Sequence, residues 1–313
     1  MRIQRVIAIL GAVAVMALTA CGTSDPPAGN DAASGELRTF THAMGTTEIP
    51  VNPKRIVVLD TDKIDTLLTL GVTPVGAARP DETDLPDYLG DLSSVEIVGT
   101  LTAPDTEAID RLNPDLILGT KFRQEEFYDE LSEIAPTVFT ELVGLTWKEN
   151  FLADGDAIGK ADEAAALMDV YEQRAGDLGE NLGTPGDIEI SIVRFMPDHI
   201  RLYGPDSFSG IVVGDTGLGR PELQQLNDAD DKRFAQLSAE RVDEADGDYV
   251  FYCAYGETAA DAQAETVAGS LWTGMSAVEA GNAHQVDDEI WMTGIGITAA
   301  NLILDDLENY LTA

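Results

Sequence analysis

Arginine and aromatic side chains that could bind an oxygen-rich ligand gather around one turn in the second half of the chain. Arg194 and Arg201 flank the turn at residues 196–199, and Tyr203 follows two residues later. A guanidinium presents a fixed fork of donors to anionic oxygens, and an aromatic ring adds flat apolar area with a polar tip. These residues therefore predict a binding site; the alternative is a cross-strand ion pair on an acidic surface.

Residue patterns for catalysis or direct metal binding do not occur in this sequence. There is no G-x-S-x-G, G-x-x-x-x-G-K-[ST] or H-E-x-x-H, and no G-x-G-x-x-G after a strand. Zinc or manganese sites use about three histidines with a carboxylate. The three histidines here, His42, His199 and His284, show no such spacing. We expect a binding protein with no enzyme activity, no cofactor and no directly coordinated metal.

The charge balance excludes further classes of partner. The 313 residues include 19 Lys+Arg against 56 Asp+Glu, a net charge of −37, while 44% are hydrophobic. That apolar content suffices for one or two folded cores. Because so negative a surface repels phosphate backbones and anionic lipid headgroups, we expect no nucleic-acid partner.

The first residues predict export and lipid anchoring. Arg2 and Arg5 precede an apolar run that ends in Leu18-Thr-Ala-Cys21, a pattern typical of a secretory signal peptide over residues 1–20. The final four residues resemble the lipobox of bacterial lipoproteins and predict lipidation of Cys21. An ordinary signal peptide with a chance cysteine is the alternative. Residues 21–36, rich in small and polar residues, predict a flexible tether, so we expect an extracytoplasmic, membrane-anchored protein.

Alternating β-rich and helical runs predict two α/β lobes, residues 37–160 and 183–313. In the first lobe the β-rich runs are 55–60, 72–77, 115–119 and 136–139, and the helical runs are 64–70, 107–112 and 124–134. In the second lobe the β-rich runs are 188–195, 200–203 and 249–254, and the helical runs are 207–215, 239–245 and 297–311. Recurring βαβ units favour parallel sheets.

A single long helix is predicted between the lobes. Apolar residues recur with helical spacing over residues 161–182, and a helix of 22 residues would span ~33 Å. Such a rod is a stiff connector between the lobes.

Six stretches resemble the iron-siderophore-binding lipoproteins of ABC importers, class III periplasmic binding proteins related to cobalamin and haem binders. They are Pro50-Val-Asn-Pro-Lys-Arg-Ile-Val-Val-Leu59, Leu70-Gly-Val-Thr-Pro-Val-Gly76, Ile109-Asp-Arg-Leu-Asn-Pro-Asp-Leu-Ile117, Ile134-Ala-Pro-Thr-Val138, Tyr203-Gly-Pro-Asp-Ser-Phe-Ser-Gly210 and Gly217-Leu-Gly-Arg-Pro221. The resemblance implies two rigid lobes, a shallow cleft and a ferric siderophore as ligand.

The predicted cleft residues lie in both lobes. The segment from Arg194 to Gly204 resembles the arginine-bearing segment that lines the cleft of hydroxamate-type binders. Other candidates follow strand ends or lie near them, namely Tyr255, Trp272 and Trp291 in the second lobe and Arg79, Lys121 and Arg123 in the first. Each aromatic residue has packing in the core as its alternative role.

The resemblance also implies partners. In this family one exposed glutamate on each lobe docks into arginine pockets of the permease, and Glu107 and Glu240 occupy matching places; solvated acids at helix starts are the alternative. We expect a monomer that delivers its ligand to a permease driven by a cytoplasmic ATPase. Net charge favours a hydroxamate-type complex, and cobalamin or haem is the alternative ligand.

Overall fold

The structure, a computed structural model, describes residues 36–312. The predicted signal peptide, the lipidation site Cys21 and the tether up to residue 35 lie outside the described residues. Among residues 36–312 we find no helix with the length and apolarity that a membrane crossing requires.

The first lobe is a hairpin followed by a parallel five-stranded sheet. The hairpin strands are β1 (Leu37–His42) and β2 (Gly45–Pro50). The sheet strands are β3 (Ile56–Val58), β4 (Gly76–Arg79), β5 (Glu96–Thr100), β6 (Leu116–Thr120) and β7 (Thr137–Thr140), in the order β5-β4-β3-β6-β7. The helices are α1 (Thr61–Thr69), α2 (Thr106–Arg111), α3 (Lys121–Gln124), α4 (Tyr128–Ile134) and α5 (Trp147–Ala157).

The second lobe contains a mixed five-stranded sheet. Its strands are β8 (Ile190–Phe195), β9 (Ile200–Tyr203), β10 (Phe234–Leu237), β11 (Tyr249–Ala254) and β12 (Ala283–Gln285), in the order β10-β9-β8-β11-β12. Strand β9 is antiparallel to both neighbours and the other pairs are parallel. Its helices are α7 (Phe208–Asp215), α8 (Glu222–Gln225), α9 (Gly256–Val267), α10 (Ser270–Thr273), α11 (Ser276–Ala280) and α12 (Ile297–Leu311). The fold is α/β with two lobes, as expected.

The helix predicted between the two sheets is present as α6 (Ala161–Leu182). Met168, Tyr171, Ala175 and Leu178 are spaced three or four apart and are buried, so this face packs on the core along the length of the helix. The helix ends where Gly183 adopts φ 80°, a conformation that favours glycine. The stiffness of α6 and the domain boundaries stay predictions.

Matching hydrogen bonds show that the two sheets are built alike. Asp115, just before β6, accepts the backbone N–H groups of Lys54 and Arg55, which precede β3. Asp248, just before β11, accepts the N–H of Glu189, which precedes β8. In each lobe an aspartate therefore joins the start of one central strand to the start of its parallel neighbour.

A second junction joins the lobes away from α6. The Asp65 carboxylate, on α1, accepts the backbone N–H groups of Thr298 (3.0 Å) and Ala299 (3.2 Å) at the start of α12, and the Tyr88 hydroxyl (3.0 Å). Gly296 approaches so closely that a Cβ there would lie 2.5 Å from Asp65 Cγ. A helix of the second lobe is thus capped by a buried acid of the first.

Three predicted elements differ in the structure. The run at 72–77 joins the sheet only at its end, where Val75 precedes β4, because the Val72 N–H donates to Leu67 O at the end of α1. The helix at 124–134 is broken, because the buried Gln124 amide donates to Leu59 O and to another carbonyl in the loop after β5. The helix at 239–245 is 3₁₀ rather than α, and Arg241 has non-helical φ/ψ.

Candidate ligand-binding cleft

The strand order of each sheet reverses at its centre, and the cleft residues lie at these two points. The reversals fall between β3 and β6 and between β8 and β11. Open α/β sheets bind ligands outside the carboxyl ends of strands at such points. At the first, Asp60 follows β3 and accepts from Arg123 Nη1 at 2.5 Å. At the second, the Arg194 guanidinium lies 4.4 Å from the centre of the Tyr255 ring.

Arg194 is buried, and all three of its guanidinium nitrogens donate hydrogen bonds within the protein. Its Nε and Nη2 donate to the two carboxylate oxygens of Asp288, each at 2.6 Å, and Nη2 also donates to Thr293 Oγ1 at 3.1 Å. Nη1 lies 3.3 Å from the Tyr203 hydroxyl. Desolvation acts to lower the pKa of Arg194, but Tyr203 and Asp288 outweigh it and raise the pKa above its ordinary value. Arg194 is therefore held as a cation.

Arg201 is the register partner of Arg194 on the adjacent strand, so both side chains leave the same face of the sheet. Its guanidinium lies 4.3 Å from the centre of the Phe234 ring, and Nε donates to His199 Nε2 at 3.2 Å. Within the described part of the chain, no carboxylate forms an ion pair with Arg201. Stacking on Phe234 contributes about 0.5–2 kcal/mol and fixes the plane of the guanidinium.

Apolar side chains from both lobes form the walls of a shallow space of about 180 Å³. Phe122, on α3, is 51% exposed and lies 5.5 Å from the Arg233 guanidinium of the other lobe. The remaining apolar lining residues are Val143, Leu145, Phe208, Phe234, Trp291, Met292 and Ile295. The space can take a ligand with an apolar skeleton and an oxygen-rich face.

The family described as "Periplasmic binding protein" matches residues 56–289. The chain belongs to that family. It is 42% identical to the probable siderophore-binding lipoprotein YfiY of Bacillus subtilis, and the match covers 95% of each chain. It is 28% identical to the iron(3+)-hydroxamate-binding protein FhuD of Bacillus subtilis, covering 87% of each chain.

A solved structure shows the same architecture. The crystal structure of Staphylococcus aureus SirA complexed with staphyloferrin B superposes with a TM-score of 0.78 at 31% identity. The match covers 88% of this chain and 98% of SirA. This periplasmic binding protein therefore shares its two-lobed α/β fold with SirA, whose crystal structure contains a bound siderophore.

The cleft brings together five of the sequence candidates. Arg194, Arg201 and Tyr203 lie on one sheet face, and Arg123 lies opposite them on the first lobe. Trp291 forms part of the floor, where it is fully buried and donates from Nε1 to Asp306 at 2.8 Å. Tyr255 lies beside Arg194, and the charges of the first lobe's acidic loop at 81–82 contribute to its raised pKa, after desolvation by burial.

Three candidates are directed elsewhere, which corrects the expectation that they face the ligand. Trp272 is 3% exposed and packs against Phe195 and Tyr252 in the core of the second lobe. Arg79 donates to backbone oxygens of its own loop, at residues 80 and 83. Lys121 pairs with Glu141 at 3.0 Å. None of the three lines the cleft.

Several cleft residues escaped the sequence analysis. Asp288 and Thr293 accept hydrogen bonds from Arg194. Asp288 directly precedes the π-helical turn Glu289–Thr293, and Thr293 is its last residue. Phe234 begins the edge strand β10, and Arg233 directly precedes it. The sequence of this segment has few β-favouring residues. The only usable signal was Phe122 between two cations, since an exposed aromatic flanked by charge often marks a binding surface.

The two acids considered for permease docking are exposed, one on each lobe. Glu107 lies in the first turn of α2, and Glu240 in the first turn of the 3₁₀ helix Ala239–Ala245. Within residues 36–312, no cluster of three or more His, Cys, Asp or Glu could hold a metal ion. Cys253 is buried, where desolvation raises the pKa of its thiol.

Proposed function

We propose that this protein captures a ferric siderophore outside the cytoplasm and delivers it to the permease of an ABC importer. The observation that carries the proposal is the cleft itself, in which apolar walls from two lobes surround the Arg201 guanidinium, which has no carboxylate partner among the described residues. A bulky chelate with an apolar skeleton and an oxygen-rich face around iron fits that chemistry. The siderophore-binding relatives support the same ligand class.

The protein acts as a receptor and carries out no reaction. The iron is cargo bound by the siderophore, so the protein needs no cofactor of its own. Lipidation of Cys21 anchors a monomer to the outer face of the cell membrane, as the naming of its relatives as lipoproteins supports. Glu107 and Glu240, exposed on separate lobes, dock the loaded protein onto the permease.

Hydroxamates are the iron-binding groups we favour. The 28% identity to the iron-hydroxamate-binding FhuD supports this choice. A ferric trihydroxamate centre is neutral overall, because three hydroxamate anions balance Fe³⁺, and it and the carbon skeleton suit the apolar walls around Phe122 and Phe234.

Fluorescence titration of the mature chain tests the ligand class. Trp291 lies at the floor of the cleft, so a bound ferric complex should quench its emission. The panel is ferric trihydroxamate, ferric catecholate, ferric citrate, haem and cobalamin, and Trp291→Phe is the control that should lose most of the quenching. Tight quenching by haem or cobalamin alone would contradict the proposal and identify one of those as the ligand.

Transport tests the docking role separately. Glu107→Ala with Glu240→Ala should leave siderophore binding unchanged and abolish growth on that siderophore as iron source. Glu279→Ala, another exposed acid of the second lobe, is the matched control. Normal growth of the double variant would contradict docking through these two residues.

A further inference from the structure

Four arginines line the cleft, and three of them already have a carboxylate partner. The pairs are Arg123 with Asp60 at 2.5 Å, Arg194 with Asp288 at 2.6 Å, and Arg233 with Asp231 at 2.7 Å. Arg201 has none among residues 36–312. Among residues 36–312, Arg201 is therefore the one arginine of the cleft that forms no direct ion pair, and Asp198 is a longer-range acidic neighbour.

The contacts of Arg201 leave its carboxylate-binding edge open. Its Nε donates to His199 Nε2 at 3.2 Å, and His199 Nδ1 lies 2.6 Å from Asp198 Oδ1. Nε2 accepts from Arg201 in the tautomer that carries its proton on Nδ1, and that proton is donated to Asp198. Both terminal nitrogens of Arg201 then have no acceptor in the described part of the chain. Phe234 holds the fork flat, facing the cleft.

Arg194 is the register partner of Arg201 in the β8–β9 hairpin, but its guanidinium is not available to a ligand. Asp288 and Thr293 occupy its fork, and the side chain is only 9% exposed. A ligand carboxylate would have to displace the bidentate Asp288 carboxylate to reach it. Arg194 is therefore a positioning residue that holds Tyr203 and Tyr255 at the cleft surface.

We infer that Arg201 is the anion-binding residue of the cleft and that the natural ligand is a ferric siderophore bearing at least one carboxylate. This inference rests on the proposed function and adds the charge of the ligand to it. A ligand that covers Arg201 removes water from both terminal nitrogens, and an unpaired buried guanidinium is costly. A carboxylate matches the fork with two charge-assisted hydrogen bonds. The net charge of the whole protein argued for a neutral ligand, but the local cation outweighs it.

A matched ligand pair tests the inference by calorimetry on the mature chain. The two ferric trihydroxamates share one chelating core and differ only at a terminal amine, which is acetylated in one and succinylated in the other, so that only the second has a free carboxylate. We expect the succinylated complex to bind about 10-fold to 100-fold more tightly, the range for a charge-assisted hydrogen bond. Ferric citrate is the third probe, because it bears carboxylates without hydroxamates.

Variants identify the residue responsible. Arg201→Gln should reduce the preference to about twofold or less by weakening only the carboxylate-bearing complexes. Arg241→Gln is the matched control, because that arginine pairs with Glu244 on the surface of the same lobe and should leave every affinity unchanged. Equal urea-unfolding midpoints for the two variants would show that the effect does not come from misfolding.

The outcomes separate the two proposals. If ferric complexes bind without preference for the carboxylate, or if Arg201→Gln weakens the acetylated and succinylated complexes equally, the inference is overturned while the proposed function stands. If only ferric citrate binds and Arg201→Gln weakens it, the inference is supported and the choice of hydroxamates is wrong. If no ferric complex binds, the proposed function fails and the inference fails with it.

Discussion

The buried junction between Asp65 and α12 should make stability depend on pH in a definite direction. Burial raises the pKa of Asp65 from 3.8 to about 6, although Thr298, Ala299 and Tyr88 donate hydrogen bonds that act to lower it. Between those two values the native state binds more protons than the unfolded state. The contribution of Asp65 to the free energy of unfolding is therefore largest below pH 3.8, falls as pH rises through the window, and is constant above about 6. A shift of this size corresponds to about 3 kcal/mol.

Asp65→Asn removes this titration while keeping the shape of the side chain. Urea unfolding would be measured at pH steps across the window for the parent protein, for Asp65→Asn and for Asp169→Asn, an exposed aspartate on α6. Subtracting the Asp65→Asn curve from that of the parent cancels the titration of the many other acids, and the Asp169→Asn curve should run parallel to that of the parent. We expect the stability of the parent, relative to Asp65→Asn, to fall by about 3 kcal/mol from the bottom to the top of the window.

Parallel curves would refute this reasoning. A difference between parent and Asp65→Asn that stays constant within about 0.5 kcal/mol would mean that Asp65 is ionised throughout. The three donors and the N-terminus of α12 would then outweigh the cost of burying the charge.

Three further predictions concern the core, the cleft wall and the motion of the lobes. Lys63→Met should lower the free energy of unfolding by about 3–5 kcal/mol, because it leaves the buried carboxylates of Asp62 and Asp154 without their cation; Lys160→Met, which breaks an exposed pair, should cost less than about 1 kcal/mol in the same urea assay. Phe122→Ala should weaken calorimetric affinity for every ferric complex about tenfold while keeping the carboxylate preference, since it removes apolar wall and no charge; a changed preference would contradict that role. Solution scattering should give nearly the same curve with and without ligand, and a large hinge rotation would contradict stiffness in α6.

The sequence predicted the central strands and the long helix well, because their patterns are dictated by burial. Strand β8 is buried at all six positions and appears as a continuous β-rich run. The hairpin β1–β2 was missed because its first strand buries only Phe40, so its alternation is weak. Helix α5 was also missed, since its buried positions include Asn150 and Asp154, whose polar side chains hide the apolar period.

Aromatic residue type alone could not separate cleft from core. Trp272 and Trp291 are both buried, and each packs against other rings. Trp291 reaches the cleft because the π-helical turn Glu289–Thr293 places it beneath the space between the lobes. Trp272 is separated from that space by its own sheet, a relation that depends on how the α10 segment packs and not on the residues adjacent in sequence.

Arg194 and Arg201 show why the scarcity of cations in the sequence could locate the site but could not tell which arginine contacts the ligand. Cations are scarce in this chain, so Arg194 and Arg201 were conspicuous, whereas Asp288 is one of 56 acids and carried no signal. What distinguishes the arginines is pairing in three dimensions. The turn after Asp288 brings its carboxylate to Arg194, 94 residues away, and no acid of the described chain reaches Arg201. The residue with the stronger contacts in the protein is therefore the one less able to contact a ligand, because Asp288, Thr293 and Tyr203 already accept from all three nitrogens of Arg194.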